Sequence, residues 1–131
     1  MKKVWVNGCF DVLHRGHIEL FRFASVLGDE LMVGLDSDSK VTQDKGEGRP
    51  INILSDRIFM LRAIKYIDAV TSFDSAIDLE RAIKYYSPDI MVVGSDWKGK
   101  TIVGEQYAKK VVFFDRVGDY STTNIINGAS N

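Results

Sequence analysis

Short apolar, β-branched runs alternate with helical patterns along this chain, and that alternation limits the fold more than any other feature. Five runs are predicted strands, because each is bounded by Gly, Asp or Asn and is almost continuously apolar, as in strands covered on both faces. Strands alternating with helices predict a parallel sheet with right-handed crossovers, so the predicted class is α/β, a doubly wound five-stranded parallel sheet with helices on both faces. The predicted strands are Val4–Val6, Leu31–Leu35, Ala69–Thr71, Ile90–Val93 and Val111–Phe114.

Three helices are predicted between these strands. Each has a boundary signal: a Gly after the first, a Ser-Asp pair before the second and a Pro soon after the third. The segments are Leu20–Leu27, Met60–Ile67 with Ser55 or Asp56 as its cap, and 76–85. Shorter helical turns are expected at 104–109 and from residue 121 onward.

Length and charge limit the partners of the chain. Its 131 residues are about one domain's worth, so residues 1–131 are expected to form a single domain. Seventeen Lys and Arg against eighteen Asp and Glu leave a formal charge of −1. No overall positive field is available to hold nucleic acid by counterion release, so any anion has to be bound by a local site.

Cysteine content and hydropathy favour a cytoplasmic protein. Cys9 is the single cysteine, which excludes an intrachain disulfide and favours a reducing compartment. The apolar stretch Val4–Val6 is too short for the core of a signal peptide, and no run approaches the roughly 20 apolar residues of a membrane span. We therefore expect no membrane partner.

The loops that follow the strands are where the sequence predicts function. In doubly wound sheets, ligands bind beyond the carboxyl ends of the strands, where the strand order reverses. Most of the unusual residues of this chain fall in such loops, namely 8–17, 36–54, 94–103 and 115–123.

The first of these loops carries two histidines at helical spacing. His14 and His17 are three residues apart and lie on one face of the entering helical turn. Unpaired backbone N–H groups and the positive end of the helix dipole favour a phosphate at such a turn, and imidazole donors can stabilise charge that develops during phosphoryl transfer. Gly8 and Gly16 allow close backbone approach, and Asp11 either caps the turn or orients a histidine.

Several common motifs are excluded in this loop. A zincin site needs two histidines four apart with a Glu between them, and here the spacing is three with no Glu. The glycines do not follow the dinucleotide pattern G-x-G-x-x-G, which argues against a dehydrogenase, and no Gly-Lys-Ser/Thr follows as in a P-loop. We expect no resident metal.

The residues 8–11 and 14–17, Gly-Cys-Phe-Asp and His-Arg-Gly-His, resemble the signature of the small nucleotidyltransferases whose motif ends in His-x-Gly-His. Later motifs appear in the order typical of that family over essentially the full chain: 45–50, Arg57, 94–97, 102–104 and 121–126. The stretches 45–50 and 121–126 are most similar to the adenylyltransferase domain that makes ADP-heptose, whereas 94–100 is more similar to glycerol-3-phosphate cytidylyltransferase. The resemblance implies a Rossmann-like fold.

The resemblance also implies a reaction, in which an acceptor phosphate attacks the α-phosphorus of a nucleoside triphosphate and pyrophosphate leaves without a covalent enzyme intermediate. Mg²⁺ is expected to arrive with the triphosphate rather than as a resident ion. Lys45 is expected in a mobile Gly-rich loop that closes over phosphates, and Arg57 and Arg116 offer planar forks for phosphate oxygens. The implied catalytic residues are His14, His17, Lys45 and Arg116.

Binding roles extend the predicted site to the other loops. Asp96 is expected to contact the edge of the nucleotide base, and Trp97 to stack on its face. The hydroxyls of residues 121–123 are expected to contact phosphate or cap a helix. The expected nucleotide-binding residues are Gly8, Cys9, Phe10, Asp11, Gly16, Gly94, Asp96, Trp97, Ser121, Thr122 and Thr123. The expected acceptor-binding residues are Asp38, Lys45 and Arg57.

Three readings of function therefore remain open. The leading one is a nucleotidyltransferase that transfers a nucleoside monophosphate to a sugar phosphate such as heptose 1-phosphate. The second uses CTP and glycerol 3-phosphate or another polyol phosphate. The third is a module that binds a nucleotide without reacting, although retention of both histidines favours an enzyme. Similar enzymes are commonly dimers, so a homodimer is expected.

Overall fold

A computed structural model of the chain describes residues 1–116. The helical turn expected from residue 121 lies outside this range. All five predicted strands are confirmed, as β1 Lys3–Gly8, β2 Glu30–Asp36, β3 Ala69–Phe73, β4 Ile90–Gly94 and β5 Lys110–Phe114. The helices are α1 Arg15–Ser25, α2 Asp38–Lys45, α3 Leu54–Arg62 and α4 Ala76–Tyr86, with short 3₁₀ turns at Ser95–Trp97 and Glu105–Tyr107.

The sheet has the order β3-β2-β1-β4-β5, and every pair of neighbouring strands is parallel. Val6 of β1 is in register with Val33 of β2, and Val4 is in register with Ile90 of β4. From β1 the chain adds β2 and β3 on one side of the sheet, and it then returns to add β4 and β5 on the other side. Strand order therefore reverses between β1 and β4, which confirms the predicted doubly wound topology.

Two apolar layers cover the sheet, one on each face. Alternate residues of β1 divide between them: Val4 and Val6 pack with α1 and α3, whereas the fully buried Trp5 packs with α4. The first layer contains Phe21 and Ala24 of α1 and Leu61 of α3, and the second contains Leu79, Ile83 and Tyr86 of α4. Helices on both faces explain why the strands are so continuously apolar.

The second predicted helix begins and ends earlier than expected and is capped differently. α3 begins after Ile53, which makes no side-chain cap, so the prediction that Ser55 or Asp56 caps it is wrong. The helix ends at Arg62, and Ile64 and Ile67 pack against the core from the turns that follow. Their spacing matched a helix because both side chains face the same apolar layer.

α2 lies where the sequence predicted only a loop. Ser37 caps it by accepting a hydrogen bond from the backbone N–H of Lys40 (3.2 Å), and Val41 is its one buried residue. A helix with so little apolar surface has no hydrophobic stripe to detect. Lys45 is its last residue, so the expectation that Lys45 sits within the Gly-rich loop is wrong; that loop begins at Gly46, whose φ is +97°.

No helix among residues 1–116 is long and apolar enough to cross a membrane.

Gly34 in the middle of β2 makes room for the ring of Trp5. A Cβ on Gly34 would lie 2.6 Å from Cζ2 of Trp5. Gly34→Ala is therefore expected to lower the free energy of unfolding by about 1–3 kcal/mol, because the close-packed ring has to shift. Urea denaturation measures this loss, and Ser72→Ala at an exposed position of β3 is the control, expected within about 0.5 kcal/mol of the wild type. Equal stability of the two variants would contradict this account of the packing.

Candidate active site at the carboxyl edge of the sheet

A cavity of about 460 Å³ opens at the carboxyl ends of β1, β2 and β4. It therefore lies at the point where the strand order reverses, which is where ligands bind in doubly wound sheets, and its volume is typical of a small-molecule site. One wall is formed by Gly8, Cys9 and Phe10, the residues that lead into the two histidines. The other lining residues are Val6, Asn7, Leu20, Asp36, Lys40, Asp44, Lys45, Ala76, Leu79, Val92, Val93, Gly94, Trp97, Ile102 and Val103.

His14 and His17 cap the start of α1 reciprocally. The backbone N–H of Gly16 donates to Nδ1 of His14 (3.1 Å), and the backbone N–H of His14 donates to Nδ1 of His17 (3.2 Å). This is the arrangement of a capping box, made here by two imidazoles instead of the usual Ser or Thr and Glu. The rings are stacked, with their centroids 3.8 Å apart and their planes at 24°.

This capping fixes the protonation of both rings. A backbone N–H only donates, so each Nδ1 has to be unprotonated, and each neutral imidazole then carries its proton on Nε2. Desolvation and the positive charge of Arg116 lower the pKa of His14 below its ordinary value. Desolvation and the adjacent His14 lower the pKa of His17 to about 4. Near neutral pH the pair therefore provides two neutral N–H donors, fixed to the start of a helix.

Phe10 supports the second of these rings from beneath. Its ring meets His17 edge-on, with centroids 5.4 Å apart, and packs against Phe21 of α1 at 5.0 Å. Phe10 has a φ of +46°, a conformation that L-residues rarely adopt and that is concentrated at functional sites. A Cβ on Gly8 would lie 3.0 Å from Cζ of Phe10, so Gly8 leaves the space that the ring occupies.

Asp11 holds a neighbouring segment in place instead of capping α1 or orienting a histidine, so that prediction is wrong. Its carboxylate, in a residue only 3% exposed, accepts hydrogen bonds from the backbone N–H groups of Ile51 (2.7 Å) and Asn52 (2.8 Å) and from Nε of Arg49 (3.1 Å). Burial on its own raises the pKa of Asp11, but these three donors lower it below its ordinary value overall. Asp11 therefore ties the segment before α3 to the histidine loop.

Arg57 is buried beneath the site, so the expectation that it presents an open fork to phosphate is not met. It is 1% exposed. Its guanidinium donates to the backbone oxygens of Cys9 (3.0 Å), Asp36 (2.7 Å) and Asn52 (3.0 Å), and to Oδ1 of Asp38 (2.7 Å). One side chain thus joins the ends of β1 and β2 to the starts of α2 and α3. Asp38, expected at the acceptor, has one carboxylate oxygen engaged in this network.

The other predicted cations and Cys9 lie around the cavity. Lys45 lines it from the end of α2 with an exposed side chain, and Arg116 is exposed and acts electrostatically on His14. Cys9 also lines it, and desolvation raises the pKa of its thiol above the ordinary value. A thiol kept protonated in this way is a poor nucleophile.

β4 leads into the opposite wall of the cavity. A Cβ on Gly94 would lie 2.7 Å from a carboxylate oxygen of Asp96, so Gly94 leaves room for that carboxylate close to the backbone. Trp97 lines the cavity with 47% of its surface exposed, and Nζ of Lys100 lies 5.8 Å from the centroid of one of its rings. An exposed ring at this place suits stacking on a flat ligand.

Four polar residues that line the cavity are not among those predicted from the sequence, namely Asn7, Asp36, Lys40 and Asp44. Three of them are in or beside α2, the helix that was not predicted. The predicted nucleotide contacts Ser121, Thr122 and Thr123 lie outside the residues that the structure describes. Within residues 1–116, no group of three or more His, Cys, Asp or Glu side chains is placed to hold a metal ion.

The fold and cavity define a doubly wound α/β protein with its ligand site at the topological switch point. Comparison with known families takes the assignment one step further. The sequence profile of the cytidylyltransferase-like family matches residues 5–128, so the chain belongs to that family.

Similar proteins agree with this membership. The Bifunctional protein HldE of Campylobacter fetus is 48% identical over 124 residues, covering 95% of this chain and 27% of the relative, and that of Helicobacter hepaticus is 46% identical over 127 residues, covering 95% and 26%. The chain thus spans about a quarter of the length of these curated relatives. A lipopolysaccharide core biosynthesis protein from Thermoplasma volcanium superposes with a TM-score of 0.70 at 25% identity, covering 92% of this chain and 99% of that one. Pantothenate synthetase from Thermus thermophilus superposes with a TM-score of 0.68, covering 95% of this chain and 61% of that one. At 13% identity, this similarity shows a shared fold alone.

Arg57→Lys tests the buried network. A lysine keeps the charge but cannot make four hydrogen bonds in a planar fork, so buried carbonyl oxygens lose their partners. We expect the free energy of unfolding to fall by about 2 kcal/mol or more. Arg62→Lys, the same change at an exposed position on the same helix, is the control and should be nearly neutral. Urea denaturation of both proteins measures the difference, and comparable losses in the two would contradict the role given to Arg57.

His17 predicts a pH dependence of stability. Its pKa in the folded protein, about 4, is below the ordinary value of 6.5, so between these values the unfolded chain binds the additional proton. Stability is therefore full above about pH 6.5 and falls as the pH drops towards 4, by about 3 kcal/mol for this group. His17→Gln keeps an acceptor for the N–H of His14 but does not titrate. Urea denaturation between pH 4.5 and 7.5 should show a shallower slope for this variant, and an unchanged slope would contradict the burial of a neutral His17.

Proposed function

We propose that the chain is a nucleotidyltransferase that transfers AMP from ATP to a sugar phosphate, with heptose 1-phosphate as the expected acceptor, and that it releases pyrophosphate. The observation that carries the proposal is the pair of neutral imidazoles that cap α1, with His17 packed against Phe10 of the cavity wall. Membership in the cytidylyltransferase-like family supports the reaction class. The resemblance of residues 45–50 to ADP-heptose-forming domains supports the particular substrates.

The proposed reaction is a single in-line displacement. An oxygen of the acceptor phosphate forms a bond to the α-phosphorus of ATP, while the bond from that phosphorus to the β-phosphate oxygen breaks. The electron pair leaves with pyrophosphate, and no proton has to be transferred to or from the enzyme. Catalysis then consists of positioning and of stabilising charge on the phosphoryl oxygens.

The residues of the site supply these two contributions. Nε2–H of His14 and of His17 donates to phosphate oxygens, and the helix N-terminus adds its positive potential. Because both donors are fixed by backbone hydrogen bonds, they need no reorganisation as the transition state forms. Lys45 and Arg116 add positive charge. Asp96 and Trp97 bind the nucleotide base, and the hydroxyls of residues 121–123 contact the triphosphate.

Three further properties belong to the proposal. Mg²⁺ binds with the triphosphate, whose oxygens supply most of its ligands. The protein works in the cytoplasm, a reducing compartment that its single cysteine favours. It forms a homodimer, for which the exposed apolar side chains of Ile53, Phe59 and Met60 at α3 offer a contact face, being 56%, 68% and 54% exposed.

Pyrophosphate release tests the function directly. The wild type is assayed with ATP and CTP, each with heptose 1-phosphate, glycerol 3-phosphate and ribitol phosphate. We expect ATP with heptose 1-phosphate to react fastest. Preference for CTP with glycerol 3-phosphate would establish the cytidylyltransferase alternative, which the stretch 94–100 favours. Nucleotide binding without turnover of any pair would indicate a binding module.

His14→Asn separates the cap from the chemistry. Asn is a good helix cap whose side-chain oxygen accepts from the N–H of Gly16, but it has no donor at the position of Nε2. We expect normal thermal stability and a kcat lower by about a hundredfold, as for the loss of one transition-state donor. Activity within a few-fold of the wild type would refute the role proposed for His14.

A further inference from the structure

A charged wall of the cavity has no part in the reaction as described so far. Asp36 at the end of β2 and Lys40 and Asp44 of α2 all line the cavity, at intervals of four residues. Nζ of Lys40 lies 2.8 Å from Oδ2 of Asp44 and 3.3 Å from Oδ1 of Asp36. An ammonium group has three N–H donors, and these two carboxylates take two of them. We call these three residues the α2 triad.

The stability of α2 does not account for the triad. Lys40 is in the first turn of the helix and Asp44 is next to its end, so both charges oppose the helix dipole. In a helix, an ion pair whose cation precedes the anion by four residues is also less stabilising than the reverse order. Residues that break local rules of this kind tend to mark functional sites.

The charge of the triad suits hydroxyl groups better than phosphate. Two carboxylates and one ammonium give the triad itself a charge of −1, which does not favour a phosphate at these three residues. Carboxylate oxygens accept hydrogen bonds from hydroxyls, and the remaining N–H of Lys40 donates to a hydroxyl oxygen. Both carboxylates have exposed surface for this, with side chains 16% exposed at Asp36 and 52% exposed at Asp44.

The position of the triad matches the acceptor and not the nucleotide. The residues assigned to the base, Asp96 and Trp97, follow β4, whereas the triad follows β2 on the other side of β1. Lys45, adjacent to Asp44 at the end of α2, brings a cation for the acceptor phosphate. The cavity wall therefore offers a phosphate contact and a hydroxyl contact side by side.

We propose that the α2 triad binds the hydroxyl groups of the acceptor sugar and selects polyhydroxylated acceptors over shorter ones. This inference rests on the proposed function, and it adds specificity residues that the sequence analysis did not contain. A sugar whose hydroxyls pair with the triad gains charge-assisted hydrogen bonds that glycerol 3-phosphate, with only two free hydroxyls, cannot match in number.

Two variants and one matched control test this role. Asp44→Asn removes a charge at a half-exposed position where the helix dipole disfavours it, so loss of fold is not expected. Lys40→Met keeps the length of the side chain and removes its donors. Asp78→Asn is the control, because Asp78 forms an exposed ion pair with Arg81 on α4, outside the cavity. Steady-state kinetics gives KM for each substrate, and calorimetry measures heptose 1-phosphate binding in the presence of a non-hydrolysable ATP analogue.

We expect both triad variants to raise KM and Kd for heptose 1-phosphate by about tenfold or more, the loss typical of a hydrogen bond to a charged group. KM for ATP should stay within twofold, and the loss should be smaller with glycerol 3-phosphate. Unchanged acceptor affinity, equal losses for ATP and acceptor, or no sugar phosphate binding by the wild type would each overturn the inference. Weakened calorimetric binding without wild-type turnover would uphold it while rejecting the proposed reaction.

Discussion

The start of α1 depends on two imidazole rings that each accept a hydrogen bond from the backbone. This reciprocal cap decides where the chain turns from β1 into the helix, and it fixes the orientation and tautomer of both rings at the same time. The positive φ of Phe10 and the absence of a side chain at Gly8 follow from the same turn, because the Phe10 ring has to lie under His17. Local structure and the proposed chemistry therefore rest on the same two rings, the cap on Nδ1 and the chemistry on Nε2.

A buried polar network keeps this turn in register with the rest of the site. Arg57 joins the loop at Cys9 to the end of β2, and Asp11 joins the same loop to the backbone at Ile51 and Asn52. Such groups are costly to bury unless every donor and acceptor is matched, and among residues 1–116 no buried side-chain polar atom lacks a partner. The network joins the loops that follow β1 and β2 into one rim of the cavity, which suits catalysis by positioning.

The parts of the fold that bury apolar surface were predictable from the sequence. All five strands, α1 and α4 were found, because a side chain facing the core leaves a periodic pattern. α2 was missed because it buries only Val41, and α3 was extended too far because Ile64 and Ile67 reach the core from turns.

The candidate site was predictable where it is built from a contiguous motif. The spacing of His14 and His17 predicted their place at the first turn of a helix, but spacing alone does not show that they cap it through Nδ1. The contacts of Asp11 and Arg57 were not predictable, because their partners include backbone atoms about 40 to 50 residues away in the chain, and no local pattern reports such contacts. Lys40 was overlooked for a related reason, since its meaning comes from the cavity and not from its neighbours in sequence.

The central claim is that both histidines are neutral and protonated on Nε2, and they are the only two in the chain. Long-range ¹H–¹⁵N correlation spectra of the ¹⁵N-labelled protein at pH 7 measure this directly, because protonated and unprotonated ring nitrogens have well-separated shifts. The account predicts two imidazoles, each with an unprotonated Nδ1 and a protonated Nε2. A proton on Nδ1 of either ring, or an imidazolium at this pH, would contradict it.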